Sequence, residues 1–545
     1  MAASLARTAS RSWLTGAALF GLALAALLGG LADAPPQRAE VYFLDGALRM
    51  LETGDFLVPT FRGQPFFDKP PLATWLMAGS LAALDREPWA ARLVSVLATL
   101  LAALATFTLG RPLVGREAAA SGALIFLATP GVLSLGRLAM SDMLLTLFCL
   151  LALQAGLAAL TPSATNGRFS LAGALLGLAF LTKGPVAILV VGAPLLLAAR
   201  QEGWRPRASR LSVAVAAFTV CGGAWFAYLA FVLGVEPLRH FFIQENLARA
   251  FDPIYDSRRG PLFYPASYLL MGLPWSPLLP LAAWRLRRQR GPQVLLCQVL
   301  VVWAALSLSR GKIEYYLLPL YPAVSLLVGR LLTDAEWRQR AAPLMRALAI
   351  IWALVAAGVA VLLIQLPSEA PRAPGRLALF AAACLAGAFV LLAIARRPMP
   401  GPLLAGGAGM LLSGFAAAQF WFLPLLEAGR PNPAVRAAIR AELARAPDLR
   451  LVLCHDPTRV ERELLIHERL VAEQRCDLEQ AAASAGSLLL LLHDEEIERL
   501  AGRTDLEEIG RWGFLPVKTL QQLAQGRPVV ARRVALVRKP AAAQP

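Results

Sequence analysis

From the N-terminus to about residue 423 the chain repeats apolar blocks, each about 20 residues long, the length needed to cross roughly 30 Å of hydrocarbon. Lipid offers backbone N–H and C=O groups no partner, so such blocks fold only as helices or as a closed barrel. The blocks are continuous and rich in Leu and Ala, without the period-two alternation of barrel strands. The chain therefore reads as mainly α and polytopic. Spans are expected at about 13–33, 89–110, 117–136, 141–160, 169–182, 184–199, 210–233, 262–283, 292–309, 313–332, 346–366, 376–395 and 402–424, about thirteen in all. The basic start (Arg7, Arg11) and the apolar run to Leu31 are read as a retained first helix rather than a cleaved signal. Only 16% of the 545 residues are charged, against about a quarter in a soluble domain.

The net charge of +17 is distributed as a topology signal rather than as a nucleic-acid footprint. Arg111 and Arg116, Arg200 to Arg210, Arg285 to Arg290, Arg338 to Arg346 and Arg396–Arg397 all fall between spans on one side if the N-terminus is cytoplasmic. The opposite face then receives the segment 34–88, the turn 137–140, the loop 234–261, the turn 310–312 and everything after about 425. This topology suits a bacterial inner membrane with the tail in the periplasm. The membrane domain is expected over 1–430. Residues 431–545 are expected to form a small extracytoplasmic α/β domain, with strands near 449–455 and 487–493 and helices near 433–445 and 494–501. Cys149, Cys221, Cys297 and Cys384 read as packing residues, whereas a Cys454–Cys476 disulfide is left open by the oxidising compartment.

Chemistry concentrates on the non-cytoplasmic side. The stretch 40–71 carries Glu40, Asp45, Asp55, Asp68 and Lys69 beside the bilayer, and residues 41–52 have the spacing of an interfacial helix. Lys69, followed by Pro70 and Pro71, is placed either to meet a lipid phosphate or simply to reach the interface. Asp142 opens an apolar helix, as a functional carboxylate at membrane depth or as a charge favoured by the helix dipole. Lys183, Arg310 and Lys312 are outer cations near helix ends, and the loop 234–261 adds His240, Glu245, Arg249, Arg258 and Arg259. Such cations call for an anionic partner, which a polyprenyl phosphate or a network with the outer carboxylates would supply. There is no P-loop, no dinucleotide fingerprint and no HExxH, and the four histidines are too scattered in sequence to mark a zinc site. An activated donor would therefore be lipid-borne.

The run LRMLETGDFLVPTFRGQPFFDKPPLATW resembles the first-loop signature of GT-C superfamily membrane glycosyltransferases, within them the aminoarabinose-transferase and protein-mannosyltransferase group. GRLAMSDMLLTLF, GLAFLTKGPVA, RRGPLFYPASYLLMGLPWSPLLP and LSRGKIEYYLLPLYPA resemble further family segments in order, so that the likeness covers roughly residues 10–330. The resemblance implies an inverting transfer of a sugar from a polyprenyl-phosphate donor to a lipid (lipid A-like), glycan or protein acceptor on the outer face. Carried over by residue, it implies a first-loop acidic residue at the reaction centre. Ala39 stands where the family has Asp, which leaves Glu40, with Asp45 in reserve. It also implies Lys69 as the donor-phosphate lysine, Asp142 as the second acidic residue near the phosphate or a divalent ion, and Lys183, Arg258 and Lys312 as further phosphate partners. No cofactor is implied beyond that ion.

In that scheme Glu40 orients or deprotonates the acceptor while Lys69 takes the charge of the departing phosphate. Two other classes compete: a flippase or transporter for lipid-linked sugars, and an assembly protein with a degenerate site. A transporter would carry charges near the midplane and repeated halves, and the acidic residues instead gather at one edge. Single cysteines beside Lys69 or Asp142 in an otherwise cysteine-free chain should react with an impermeant maleimide added outside spheroplasts. Labelling only after lysis would reverse the topology.

Overall fold

The computed structural model describes residues 19–32, 38–248 and 260–334, a few single positions apart, together with segments of the tail between 432 and 539. The expected spans at 346–366, 376–395 and 402–424 lie outside the described residues, as do Cys384, Cys454, Cys476 and Arg258. Among the described residues, five helices are long and apolar enough to cross a membrane: Pro88–Val114, Asp142–Ala159, Ala208–Leu233, Arg290–Leu308 and Glu314–Thr333. The chain is thus a multi-pass membrane protein.

Several other expected spans are interrupted, for local reasons. The block 117–136 divides into Arg116–Ala128 and Pro130–Leu135, because Thr129 precedes a proline and is extended (ψ 123°). The block 262–283 divides into Phe263–Met271 and Leu279–Leu286 around Gly272–Pro274. The pair around Lys183-Gly184-Pro185 forms two helices, Asn166–Lys183 and Val186–Gln201. Gly184 has φ +85°, and a Cβ there would lie 2.6 Å from the Phe241 ring, so both the backbone and the packing require glycine at this break.

The helix Tyr321–Thr333 is the centre of the bundle, buried at nearly every position from Tyr321 to Leu332. It packs against Arg116–Ala128 and Pro88–Val114, and the same core continues into the first loop through Val41, Phe43, Leu44 and Ala47. That loop is a folded unit. Its helix Arg38–Thr53 is followed by a short antiparallel hairpin, β1 (Thr60–Phe61) and β2 (Gln64–Pro65), and then by the apolar helix Leu72–Ala83. Tyr42 stacks on Phe66 at 5.3 Å and meets Phe61 at 4.7 Å, joining hairpin to helix. Two indoles fix the intervening chain: Trp75 Nε1 donates to the Phe56 carbonyl at 2.6 Å and Trp225 Nε1 to the Leu57 carbonyl at 2.8 Å. The Lys69 corner is therefore held against the bundle by packed aromatics.

In the tail, β3 (Arg450–Val452), β4 (Leu488–His493), β5 (Glu507–Phe514) and β6 (Arg532–Lys539) form one sheet in the order β3-β4-β6-β5. The pair β3/β4 is parallel and the others antiparallel. The run of five leucines at 488–492 is buried on both faces, as an interior strand requires. Leu489 and Leu491 pack with Val435 and Ile439 of the helix Asn432–Arg445, and Leu488, Leu490 and Leu492 pack with Leu478 and Leu500 on the other side. Leu490→Ala, at a fully buried site, should destabilise this sheet by about 2–5 kcal/mol. Hydrogen exchange across the strand peptides of the full chain would show it, and unchanged protection would contradict the packing described.

Candidate functional site

A cavity opens where the first loop, the break at Gly184 and the 309–316 turn converge. Its polar end is lined by Asp68, Lys69, Asp142, Lys183 and Glu245. Its apolar wall is built from Leu145, Val186, Val190, Val302 and Leu306, one or two residues from each of three helices. Lys69, Asp142 and Lys183, separated by up to 114 positions in the chain, are thus brought to one place.

Helix ends explain the placement. Asp142 is the first residue of Asp142–Ala159 and Lys183 the last of Asn166–Lys183, so each charge sits at the helix terminus whose dipole favours it. Their side chains form a direct ion pair, largely shielded from solvent. The Lys183 ammonium also lies 4.4 Å from the Tyr316 ring centroid and 5.4 Å from that of Tyr315. Lys69 Nζ donates to the Asp68 carbonyl at 3.0 Å.

His240 joins the first loop to the segment His240–Ala248, with Nε2 2.8 Å from Asp68 Oδ1 and Nδ1 2.8 Å from Gln244 Oε1. Partial burial pushes the imidazole pKa down, but hydrogen bonds to Asp68 and Gln244 and the charges of Asp68 and Glu245 outweigh it, leaving the pKa raised. Donor atoms of Asp68, His240 and Glu245 lie within 4.8 Å of one another. One imidazole and two carboxylates suit a divalent ion such as zinc. The sequence suggested Asp142 as the ion's ligand, but the structure pairs Asp142 with an ammonium instead, and a cation there would have to displace Lys183. His240 was not singled out as a ligand, because its partner Asp68 is 172 residues away and no local spacing reports that contact.

Three other expected site residues are placed elsewhere. Glu40 does not line the cavity: it is fully buried, accepting from Arg92 Nε at 2.8 Å, Arg92 Nη2 at 3.0 Å and the Ala139 N–H at 2.9 Å. Both of its carboxylate oxygens are engaged inside the protein. Asp45 pairs with Arg49 one helical turn away at 3.1 Å and is also absent from the cavity lining. Lys312 is buried and turned back onto the end of Arg290–Leu308, donating to the Ser307 carbonyl at 2.9 Å and to that of Ser309. Burial lowers its pKa. It satisfies helix-terminal carbonyls and so shapes the turn whose Ser309 and Gly311 do reach the cavity. Arg258, the remaining phosphate candidate, lies outside the described residues.

Over nearly its whole length the chain superposes on crystal structures of ArnT from Cupriavidus metallidurans. The apo form gives a TM-score of 0.76 and the undecaprenyl phosphate-bound form 0.74, each at 19% identity and covering 98% of this chain and 100% or 99% of that one. The likeness shows that the chain shares the fold of these structures. Residues 68–225 match the family model of dolichyl-phosphate-mannose-protein mannosyltransferases. Among curated relatives, an uncharacterized protein of Aquifex aeolicus is 30% identical over 301 residues, 52% of this chain and 65% of its own length. The undecaprenyl phosphate-alpha-4-amino-4-deoxy-L-arabinose arabinosyl transferase of Edwardsiella ictaluri is 31% identical over 328 residues, 58% of each chain. The chain thus spans about three-fifths of the length of these two curated relatives.

A buried carboxylate stripped of its cation is costly. Lys183→Met should therefore destabilise the protein by about 3–5 kcal/mol, and Asp142→Asn in the same chain should recover most of that loss. Thermal unfolding of the detergent-purified variants measures this coupling. Additive effects would show that the two charges do not depend on each other.

Proposed function

We propose that the protein is an inverting glycosyltransferase that moves a sugar from a polyprenyl-phosphate donor to an acceptor at the outer face of the bacterial inner membrane. One observation carries this reading: two ammonium groups, Lys69 and Lys183, stand with Asp68, Asp142 and Glu245 at the polar end of a cavity that also has an apolar wall of Leu145, Val186, Val190, Val302 and Leu306. A phosphate on an isoprenoid has that same division, an anionic head on a hydrocarbon chain. The undecaprenyl phosphate-bound form of the C. metallidurans relative supports the choice of donor.

The chemistry follows from the charges. In-line displacement at an anomeric carbon builds negative charge on the departing phosphate, and fixed cations in a water-poor site stabilise that charge. Lys69 and Lys183 fill this role. A phosphate arriving at Lys183 competes with Asp142, so donor binding releases the Asp142 carboxylate from its ion pair. Asp68, His240 and Glu245 would hold a divalent ion, which would add Lewis-acid stabilisation of phosphate charge when bound. The acceptor is a lipid, in the manner of lipid A, a glycan or a protein. Residues 431–545 form a periplasmic domain, and the N-terminus is cytoplasmic, in keeping with the arginine distribution.

Purified protein given a radiolabelled undecaprenyl-phosphate sugar should transfer or hydrolyse it. Lys69→Ala and Lys183→Ala should each lower the rate per folded molecule by about a hundred-fold or more. Undiminished rates in both would overturn the assignment, and movement of the labelled lipid across vesicles without bond cleavage would favour a flippase.

A further inference from the structure

Glu40 is a charged residue of the first loop that the reaction scheme does not use, and among the described charged residues of that loop it is the most completely buried. Its contacts have a direction. The Arg92 guanidinium takes both carboxylate oxygens, and Oε1 also accepts the N–H of Ala139, 99 residues away. Ala139 belongs to the turn Gly136–Ser141, which ends where the helix beginning at Asp142 starts.

This turn lies buried, and the helix Pro88–Val114 meets its backbone with one stripe of polar side chains. Ser95 donates to the Met140 carbonyl at 3.3 Å and Thr99 to the Gly136 carbonyl at 2.8 Å. Arg92, Ser95 and Thr99 are spaced i, i+3 and i+7, one face of a helix, so the stripe is a ruler laid along the turn. At its near end Gly136 sits so close that a Cβ would be 2.6 Å from Thr99 Oγ1 and 2.5 Å from the Val132 carbonyl. Ser95 and Thr99 engage carbonyls. The N–H of Ala139 needs an acceptor, and Glu40, anchored by Arg92, is that acceptor. An unsatisfied N–H at this depth would cost enough to shift the turn, and with it the first residue of the following helix.

We propose that Glu40 is a positioning residue. Held by Arg92, it fixes the Gly136–Ser141 turn through the Ala139 N–H and so sets Asp142 against Lys183. The inference rests on the donor-binding reading for its effect on activity, but its effect on the turn can be read independently.

Removing Glu40 alone would strand a buried guanidinium, so the test compares two double variants in the full-length protein. Glu40→Gln with Arg92→Met keeps an oxygen for the Ala139 N–H, and Glu40→Ala with Arg92→Met removes it. Hydrogen exchange of the peptide spanning 136–145 should be near wild type in the first and at least about ten-fold faster in the second. Undecaprenyl phosphate affinity should follow the same order, about ten-fold weaker in the alanine pair and within a few-fold of wild type in the glutamine pair. A general base at Glu40 would instead make the two pairs equally inactive, with normal phosphate affinity and loss of the acidic limb of the pH–rate profile. That result overturns the proposal, as does equal exchange in the two pairs. If the wild-type protein neither binds the polyprenyl phosphate nor transfers sugar, the functional reading fails, and the exchange comparison alone still decides the role of Glu40.

Discussion

A carboxylate beside hydrocarbon persists as an ion only when a cation is fixed within reach, and the pairing of Asp142 with Lys183 meets that requirement at the edge of the bundle. Much of the surrounding architecture serves this contact. The break at Gly184-Pro185 ends one helix at Lys183, the turn Gly136–Ser141 begins another at Asp142, and Tyr315 and Tyr316 lay their rings beside the ammonium. The first loop adds Lys69 to the same cavity, pinned by the aromatic cluster that includes Phe67, Trp75, Trp225 and Phe241. In the proposed reading an incoming lipid phosphate would compete with Asp142 for the Lys183 ammonium.

Much of this was legible in the sequence, and for a physical reason. Lys69, Asp142 and Lys183 all stand where an apolar block begins or ends, and charges at such points are costly enough that few alternatives exist for them. The helix over 41–52 and the strands of the tail were equally visible, the first in its helical spacing and the second in leucine runs too short to span a membrane. Interruptions of the apolar blocks were harder to foresee. A block such as 117–136 satisfies the length criterion, yet Pro130 forces its predecessor out of the helix and leaves two shorter pieces.

The residues placed away from the expected site, and the contact that went unforeseen, share another cause: they depend on partners that no local pattern discloses. Glu40 sits at a position that the family resemblance links to catalysis, but Arg92, 52 residues on, encloses it. Lys312 has the surroundings of a phosphate ligand by sequence, and its nearest acceptors prove to be the carbonyls of the helix just before it. His240 looked isolated among four scattered histidines until the fold delivered Asp68 to its Nε2. Side-chain geometry decided which of the expected residues face the cavity.

The central claim is that the Asp142–Lys183 pair opens to accept a lipid phosphate, and a structure of the protein with undecaprenyl phosphate in a lipid nanodisc tests it most directly. The account predicts phosphate oxygens about 3 Å from the ammonium groups of Lys69 and Lys183, the prenyl chain along Val186, Val190 and Leu306, and the Asp142 carboxylate detached from Lys183. A phosphate bound elsewhere, with Asp142 and Lys183 still joined, would contradict it.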